Sequence, residues 1–169
     1  PGEYSTTVSL EVSPEGDILV DDYLGSRLIF YDHNYQYKKQ IISKGKWYHF
    51  VHVNHKNEIF MYEGMVPASV VMGLQKPWIF DTIKKLNNNG ETILSFAPIP
   101  EEVFKFFFSC GTDGIAIDKD DFIYEMNPLF YRIRKYTSGG QLVKSFFNPH
   151  FQQLEPREGR QGVLNGPYY

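Results

Sequence analysis

Three histidines stand close together in the sequence, and imidazole side chains are common ligands of zinc, copper and nickel. They are His49, His52 and His55, in the segment HFVHVNH. Side chains alternate along an extended strand, so His52 would face away from the other two, and His55 falls in a predicted turn. The spacing argues against a shared site, and we predict no metal ligands and no bound cofactor.

A second group of residues could contact a ligand, because charged, amide and aromatic side chains follow two of the predicted strands. These candidates are Asp21, Asp22, Tyr23 and Arg27 in one segment, Glu125, Asn127, Tyr131 and Arg132 in another, and the aromatic pair Trp47 and Tyr48. Loops that follow strands often carry recognition residues, so we predict a ligand-binding surface there. The alternative is that Arg27 and Arg132 only pair with nearby acids, and that the aromatic residues belong to the core.

Nucleophilic catalysis requires a reactive side chain beside a general base. The single cysteine, Cys110, lies in SCGTDG with no histidine nearby in the sequence. The acidic turns SPEGD and DKDD lack the spaced ligands and final bidentate glutamate of an EF-hand, and ordinary polar turns explain them. We therefore assign no catalytic residue.

The bulk composition indicates a folded globular chain. Of its 169 residues, 42% are hydrophobic and 17% aromatic, and the formal net charge is -3 with scattered lysine and arginine. Nucleic acid is therefore not an expected partner, and no apolar run approaches the ~20 residues of a membrane helix. The chain begins at Pro1 without a signal segment, as a processed, trimmed or partial chain would. The compartment stays open, with a periplasmic or extracellular location as the working expectation.

A strand-turn-strand pattern recurs three times in one register. Residues 12–20, 53–61 and 117–125 each place an aliphatic residue six positions before Ile18, Ile59 or Ile123. A second hairpin pattern follows each copy, at 31–41, 86–96 and 136–146. We predict four strands per copy. They cover 10–12, 18–21, 28–31 and 38–42, then 50–53, 59–62, 78–85 and 92–96, then 115–117, 122–125, 133–136 and 142–146.

The segments outside this register are of three kinds. The second copy is longer, and its residues 63–77 contain Pro67, Gly73 and Pro77, which predicts an inserted loop. Residues 100–108 suit a helix or an aromatic strand. The tail, 148–169, lacks periodicity and is predicted to be a peripheral strap or loosely ordered.

Four-stranded repeats of about 40 residues are typical of β-propellers. Residues 16–32 (GDILVDDYLGSRLIFYD) and 114–146 (GIAIDKDDFIYEMNPLFYRIRKYTSGGQLVKSF) resemble the NHL-type and related six-bladed β-propellers. The third copy departs where Met126 and Asn127 stand in place of Asp21 and Asp22. The resemblance implies an all-β chain of four-stranded antiparallel blades. We place a partial propeller at 1–147, with blades at about 8–42, 49–97 and 113–147, and a tail at 148–169.

Three blades do not close a ring, because propellers carry ~4 to 8. The missing blades belong either to a longer chain, as part of a six-bladed propeller, or to other copies, and the uneven second copy favours the longer chain. Propellers host many functions. We expect a non-enzymatic binding or scaffold module that recognises a protein, peptide or glycan through its loops. The alternatives are a metal-dependent lyase or lactonase-type enzyme and a structural subunit.

Overall fold

The computed structural model describes residues 7–22, 24–42, 49–62, 81–98, 114–127 and 132–147, and every regular element in these ranges is a β-strand. The strands form three four-stranded antiparallel sheets, each built from four successive strands. We call them blades 1, 2 and 3. Blade 1 contains β1 (Thr7–Val12), β2 (Ile18–Asp22), β3 (Arg27–Tyr31) and β4 (Tyr37–Ile42). Blade 2 contains β5 (His49–Val53), β6 (Ile59–Tyr62), β7 (Asp81–Leu86) and β8 (Thr92–Pro98). Blade 3 contains β9 (Ile115–Ile117), β10 (Ile123–Asn127), β11 (Arg132–Tyr136) and β12 (Leu142–Phe147).

Six hairpin turns share one hydrogen-bond pattern. Each turn consists of five residues. The N–H of the first residue donates to the carbonyl of the fifth, and the N–H of the fourth residue donates to the carbonyl of the first. The side-chain oxygen of the first residue also accepts the N–H of the fifth. The first residues are Ser13, Asp32, Asn54, Asn87, Asp118 and Thr137. All are short polar side chains of the kind that bond their own turn backbone, so local chemistry determines where these strands end.

The fourth residue of each turn has a positive φ, which glycine, asparagine and aspartate adopt most easily. These residues are Gly16, Tyr35, Asn57, Gly90, Asp121 and Gly140. The predicted hairpin turns at 87–90 and 138–140 are therefore confirmed. In the acidic turns SPEGD and DKDD, the side chain of the first residue, Ser13 or Asp118, likewise accepts a hydrogen bond from the N–H of the fifth residue.

The shared register of the three copies is confirmed by strand pairing. Val12 pairs with Ile18, Val53 with Ile59, and Ile117 with Ile123. The second and third strands of each blade also pair in the register of the repeat. Ile18 pairs with Tyr31 and Ile123 with Tyr136, each 13 residues apart, and Ile59 pairs with Leu86, 27 residues apart. The observed strands differ from the predicted ones mainly at their ends, where β1 begins earlier and β2 includes Asp22.

Successive blades pack face to face through two apolar clusters. Because side chains alternate along a strand, each sheet has two faces. We call the face on the side of the preceding blade the front face, and the face on the side of the following blade the back face. The back face of blade 1 meets the front face of blade 2 in a cluster of Leu19, Leu28, Phe30, Ile41, Val51, Ile59, Met61 and Leu86. The back face of blade 2 meets the front face of blade 3 in a cluster containing Phe60, Tyr62, Ile83, Phe96, Ile115, Ile123 and Tyr136. The first strands of neighbouring blades are also in contact, β1 with β5 and β5 with β9. The blades therefore form one series.

Several predictions concern segments outside the described residues. They are the insertion at 63–77, the start of the strand predicted at 78–85, the element at 100–108, Cys110 and the tail at 148–169. Within the described ranges, none of the elements is a helix able to cross a membrane.

Candidate binding surface at the loop end of the blades

The two ends of the blades differ in their connections. The six similar turns lie at one end, which we call the turn end. Contacts between successive blades keep these turns side by side, since Asn57 donates to Glu15 at 2.6 Å and the backbone of His55 donates to Asp121 at 2.9 Å. The connections 23–26, 43–48, 63–80, 99–114 and 128–131 join strands at the opposite end, the loop end. These connections vary in length, as variable recognition loops do.

The predicted ligand-contacting residues lie at this loop end, but mostly within strands. Asp21 and Asp22 are the last two residues of β2, and Arg27 is the first residue of β3. Glu125 and Asn127 belong to β10, and Arg132 begins β11 opposite Asn127. The expectation that Asp22, Arg27, Asn127 and Arg132 lie in loops is therefore wrong, whereas Asp21 and Glu125 lie within the strands predicted at 18–21 and 122–125. Tyr23, Trp47, Tyr48 and Tyr131 lie outside the described residues.

Asp22 closes the connection between β2 and β3. Its carboxylate accepts hydrogen bonds from the Gly25 N–H at 3.2 Å and from Arg27 Nε at 2.8 Å. Arg27 also donates through Nη1 to Gln40 Oε1 at 3.1 Å, which ties the turn to β4. A side chain at Gly25 would collide with the Asp22 carboxylate. Arg27 thus pairs with a nearby acid, as the alternative interpretation proposed, and Asp22 supports the loop from below.

Asp21 faces the opposite side of the sheet from Asp22. It pairs with Ser9 on β1 and Leu28 on β3, next to blade 2. The residue is only 3% exposed, and its Oδ2 atom has no hydrogen-bond partner within the described part of the chain. Burial raises the pKa of the carboxyl group to about 7, and the negative charge of Asp22 adds to the rise. Because they point to opposite faces, the two carboxylates do not form a chelating pair.

Glu125 lies in the interface between blades 2 and 3, where it forms a buried ion pair with Arg134. Arg134 donates to both carboxylate oxygens, at 2.7 Å from Nε and 2.9 Å from Nη2. Its third donor, Nη1, reaches the carbonyl of Pro98 at 2.8 Å and so holds the end of β8. Burial would lower the pKa of Arg134, but the hydrogen bonds and charge of Glu125 raise it above the ordinary value. These contacts give Glu125 a role in joining the blades.

Arg134 is a residue that the sequence reasoning missed. It stands opposite Glu125 in the pairing of β10 with β11. The register that pairs Ile123 with Tyr136 predicts this partner. Glu125 lies two residues after Ile123 and Arg134 lies two residues before Tyr136, so the two residues face each other across the strands. Burial also raises the pKa of the neighbouring Tyr136 to about 12, so its hydroxyl stays neutral.

The histidines of blade 2 point to different neighbours. His52 Nδ1 lies 3.6 Å from Glu11 on blade 1, whereas His55 Nδ1 lies 3.4 Å from Asp121 on blade 3. Burial lowers the pKa of His52 and raises the pKa of Glu11, which favours the neutral form of each. Among the described side chains, which do not include that of His49, no three potential metal ligands cluster.

Three four-stranded antiparallel sheets that pack in series define blades of a β-propeller. Solved propeller structures match the chain. A catalytically inactive variant of virginiamycin B lyase from Staphylococcus aureus, in complex with quinupristin, shares 18% identity at a TM-score of 0.57, over 86% of this chain and 42% of that one. A Bacteroides fragilis protein proposed to be exported shares 11% identity at a TM-score of 0.59, over 85% and 38% of the two chains.

A streptogramin B lyase gives a similar result, with 15% identity and a TM-score of 0.55 over 85% of this chain and 41% of that one. No protein-family model matches the sequence, and no curated protein matches it either. At these identities the likeness confirms the β-propeller fold alone. The chain spans less than half the length of the structures that it matches. The NHL-type likeness and a ring of six blades stay predictions.

Proposed function

We propose that the chain is part of a non-enzymatic β-propeller that binds a protein, peptide or glycan at the loop end of its blades. The observation that supports this proposal is the buried Asp21 carboxyl group, whose Oδ2 has no hydrogen-bond partner within the described residues. A buried acceptor without a partner costs about 1–3 kcal/mol. A ligand N–H or O–H that reached Oδ2 would recover that free energy.

The hydrogen bonds of the other polar groups also favour the loop end as the binding surface. At the turn end the first residue of each turn bonds its own backbone. At the loop end, Asp22 is held by Arg27, and Glu125 by Arg134. The Asp22–Arg27 pair lies on the face of blade 1 that is turned away from blade 2, and the Glu125–Arg134 pair lies between blades 2 and 3. Within the described residues, Asp21 is the buried carboxylate with an unpartnered oxygen, which favours it as the ligand contact.

A binding screen with the purified chain tests this proposal. Peptide and glycan arrays would identify a ligand, and a titration would then compare Asp21→Met with the unchanged chain. Methionine is the residue at the equivalent position of blade 3, Met126, so the substitution suits a blade. We expect the ligand affinity to fall about tenfold, in line with the loss of one buried hydrogen bond.

The matched control is Asp120→Met, which removes an exposed carboxylate at the turn end. It should leave the affinity unchanged. Equal affinities for Asp21→Met and the unchanged chain, with both folded, would exclude Asp21 from the binding site. Equal losses in both variants would show that the ligand responds to overall charge.

The alternative function is that of a metal-dependent propeller lyase or lactonase-type enzyme. Two matched structures are lyases, and a carboxyl group whose pKa lies near 7 suits a general base at neutral pH. Mass spectrometry of quinupristin after incubation with the protein and divalent metal would detect turnover. Turnover that disappears in a folded Asp21→Asn variant, together with stoichiometric bound metal, would replace the binding proposal.

The proposed export of the matched Bacteroides fragilis protein supports an extracellular or periplasmic location for this one. Fractionation of the source cells, followed by detection of the protein with an antibody, tests this location. Recovery in the cytoplasmic fraction alone would contradict it.

A further inference from the structure

Two carboxyl groups share the back face of blade 1, on the side of blade 2. Asp21 pairs with Ser9 across β1 and β2, and Glu11 pairs with Leu19 one row further along. Residues two apart on a strand point to the same face, so Ser9 and Glu11 lie on one face, and Glu11 is the diagonal neighbour of Asp21. A long side chain reaches across such a diagonal. Ser9, Glu11 and Asp21 therefore form one set of oxygen acceptors, which we call the acceptor group.

The first strand of blade 2 holds two members of this group in place. The Ser9 hydroxyl oxygen accepts the backbone N–H of Val51 at 3.1 Å. The Glu11 carboxylate interacts with the backbone of Val53, and one of its oxygens lies 3.6 Å from His52 Nδ1. These contacts fix Ser9 and Glu11 beside β5, on the same face as the buried Asp21.

The exposure of the carboxyl groups decreases from the outside inward. The side chains of Glu11 and His52 are 28% and 25% exposed, whereas Asp21 is 3% exposed. Because β1 and β5 are in contact, Glu11 and His52 lie at the shared edge of blades 1 and 2. A small polar group that enters along this edge would reach Glu11 before Asp21.

Within the described ranges, the acceptor group has no strong cation beside it. Asp21 Oδ2 has no hydrogen-bond partner there, and the basic side chain within ion-pair distance of Glu11 is that of His52. Burial lowers the pKa of His52, which favours the neutral imidazole. Burial also raises the pKa of both Asp21 and Glu11, because removal from water disfavours a carboxylate. A bound positive charge would stabilise both carboxylates.

We propose that the acceptor group of Ser9, Glu11 and Asp21 binds a primary ammonium group of the ligand. This inference rests on the binding function proposed above and specifies the chemistry of its ligand. An ammonium group carries three N–H donors around one compact charge, which matches one oxygen acceptor from each of the three side chains. A divalent metal fits less well, because no three potential metal ligands cluster among the described side chains. A lysine side chain, a free peptide N-terminus or an unacetylated amino sugar supplies such a group.

Simple amines test the site without the natural ligand. Propylammonium chloride would be titrated into the chain, and the side-chain carboxyl carbons of Asp21 and Glu11 would be followed by NMR. We expect saturable shifts of both signals. Tetramethylammonium has the charge without N–H donors and propanol has the shape without the charge, so each should bind at least about tenfold more weakly. Absence of saturable shifts, or equal binding of propylammonium and tetramethylammonium, would overturn the ammonium site.

Substitutions locate the site. Asp21→Asn and Glu11→Gln each remove a negative charge with little change of shape, and each should lower the affinity for propylammonium about tenfold or more. The matched control is Asp120→Asn, which changes an exposed carboxylate at the turn end and should leave the affinity unchanged. Equal affinities in all three variants would place the amine elsewhere and overturn the proposal.

Ligands from the peptide and glycan arrays separate this inference from the proposed function. Acetylation of the ligand's amine should lower its affinity about tenfold or more, and comparison of lysine peptides with glucosamine oligomers shows which source supplies the amine. A ligand that needs Asp21 but binds equally well after acetylation would overturn the ammonium site and leave the proposed function standing. A ligand whose affinity is the same with and without the Asp21 carboxylate would contradict both.

Discussion

Glu125 and Arg134 form a buried bidentate ion pair at the cross-strand position that Val20 and Ile29 occupy in blade 1. Both pairs are buried, so the same position of the repeat holds an apolar pair in blade 1 and an ion pair in blade 3. The ionic pair must offset the cost of removing two charges from water, and it does so with two mutual hydrogen bonds and a third to Pro98. Removing either charge alone would leave the other charge buried without its partner.

The first prediction concerns this ion pair. Glu125→Val alone or Arg134→Ile alone should lower the free energy of unfolding by about 3–5 kcal/mol, because each leaves an unpaired buried charge. The double variant, which copies the blade 1 pair, should recover most of that loss. Urea denaturation of the three variants measures the effect. Single variants as stable as the double variant would show that the pair is not coupled.

The second prediction concerns the pH dependence of stability. The pKa of Asp21 rises from 3.8 to about 7 on folding, so the folded chain holds this proton more tightly than the unfolded chain does. The resulting stabilisation is complete below about pH 4 and is lost as the pH rises through 7. Its size is at most about 4 kcal/mol, at about 1.4 kcal/mol per pKa unit.

Asp21→Asn tests this dependence because asparagine stays neutral at every pH. The stability of the variant relative to the unchanged chain should increase from pH 5 to pH 8, as measured by urea denaturation at each pH. Asp120→Asn, an exposed change, should show no such trend. Parallel stability curves for Asp21→Asn and the unchanged chain would mean that Asp21 titrates normally.

The third prediction concerns the loop that Asp22 closes. Gly25→Ala should lower the free energy of unfolding by about 1–3 kcal/mol, because the new methyl group collides with the Asp22 carboxylate that holds Arg27. Gly114→Ala is the control, since nothing lies within 4 Å of the added carbon there. Thermal unfolding of both variants would show the difference. An equal effect of the two changes would argue against the tight approach of Gly25 to Asp22.

The fourth prediction concerns the repeated hairpin turn. Asn87→Ala removes the side-chain oxygen that accepts two backbone N–H groups, and it should cost about 1 kcal/mol of stability. Asn88→Ala, one residue further in the same exposed turn, should cost much less. Chemical denaturation of the two variants provides the comparison. If Asn88→Ala proved the more harmful change, the side-chain closure of these turns would be in doubt.

The sequence by itself determined the strands, their register and the turns between them. Those features are local, because short polar residues such as Asn87 and Asp118 bond their own backbone, and because pairing across a short turn fixes partners such as Ile18 and Val12. The propeller fold was predictable for the same reason, since the same local pattern recurs three times.

Only the tertiary structure decided which polar residues are buried and what they meet. Asp21 and Asp22 are adjacent in the sequence, yet one faces blade 2 without a partner in the described residues and the other is held by Arg27. Glu125, a predicted ligand contact, accepts two hydrogen bonds from Arg134 between blades 2 and 3, and Arg134 also donates to the Pro98 carbonyl. These outcomes depend on contacts between strands and blades far apart in the chain, and local pattern does not encode them.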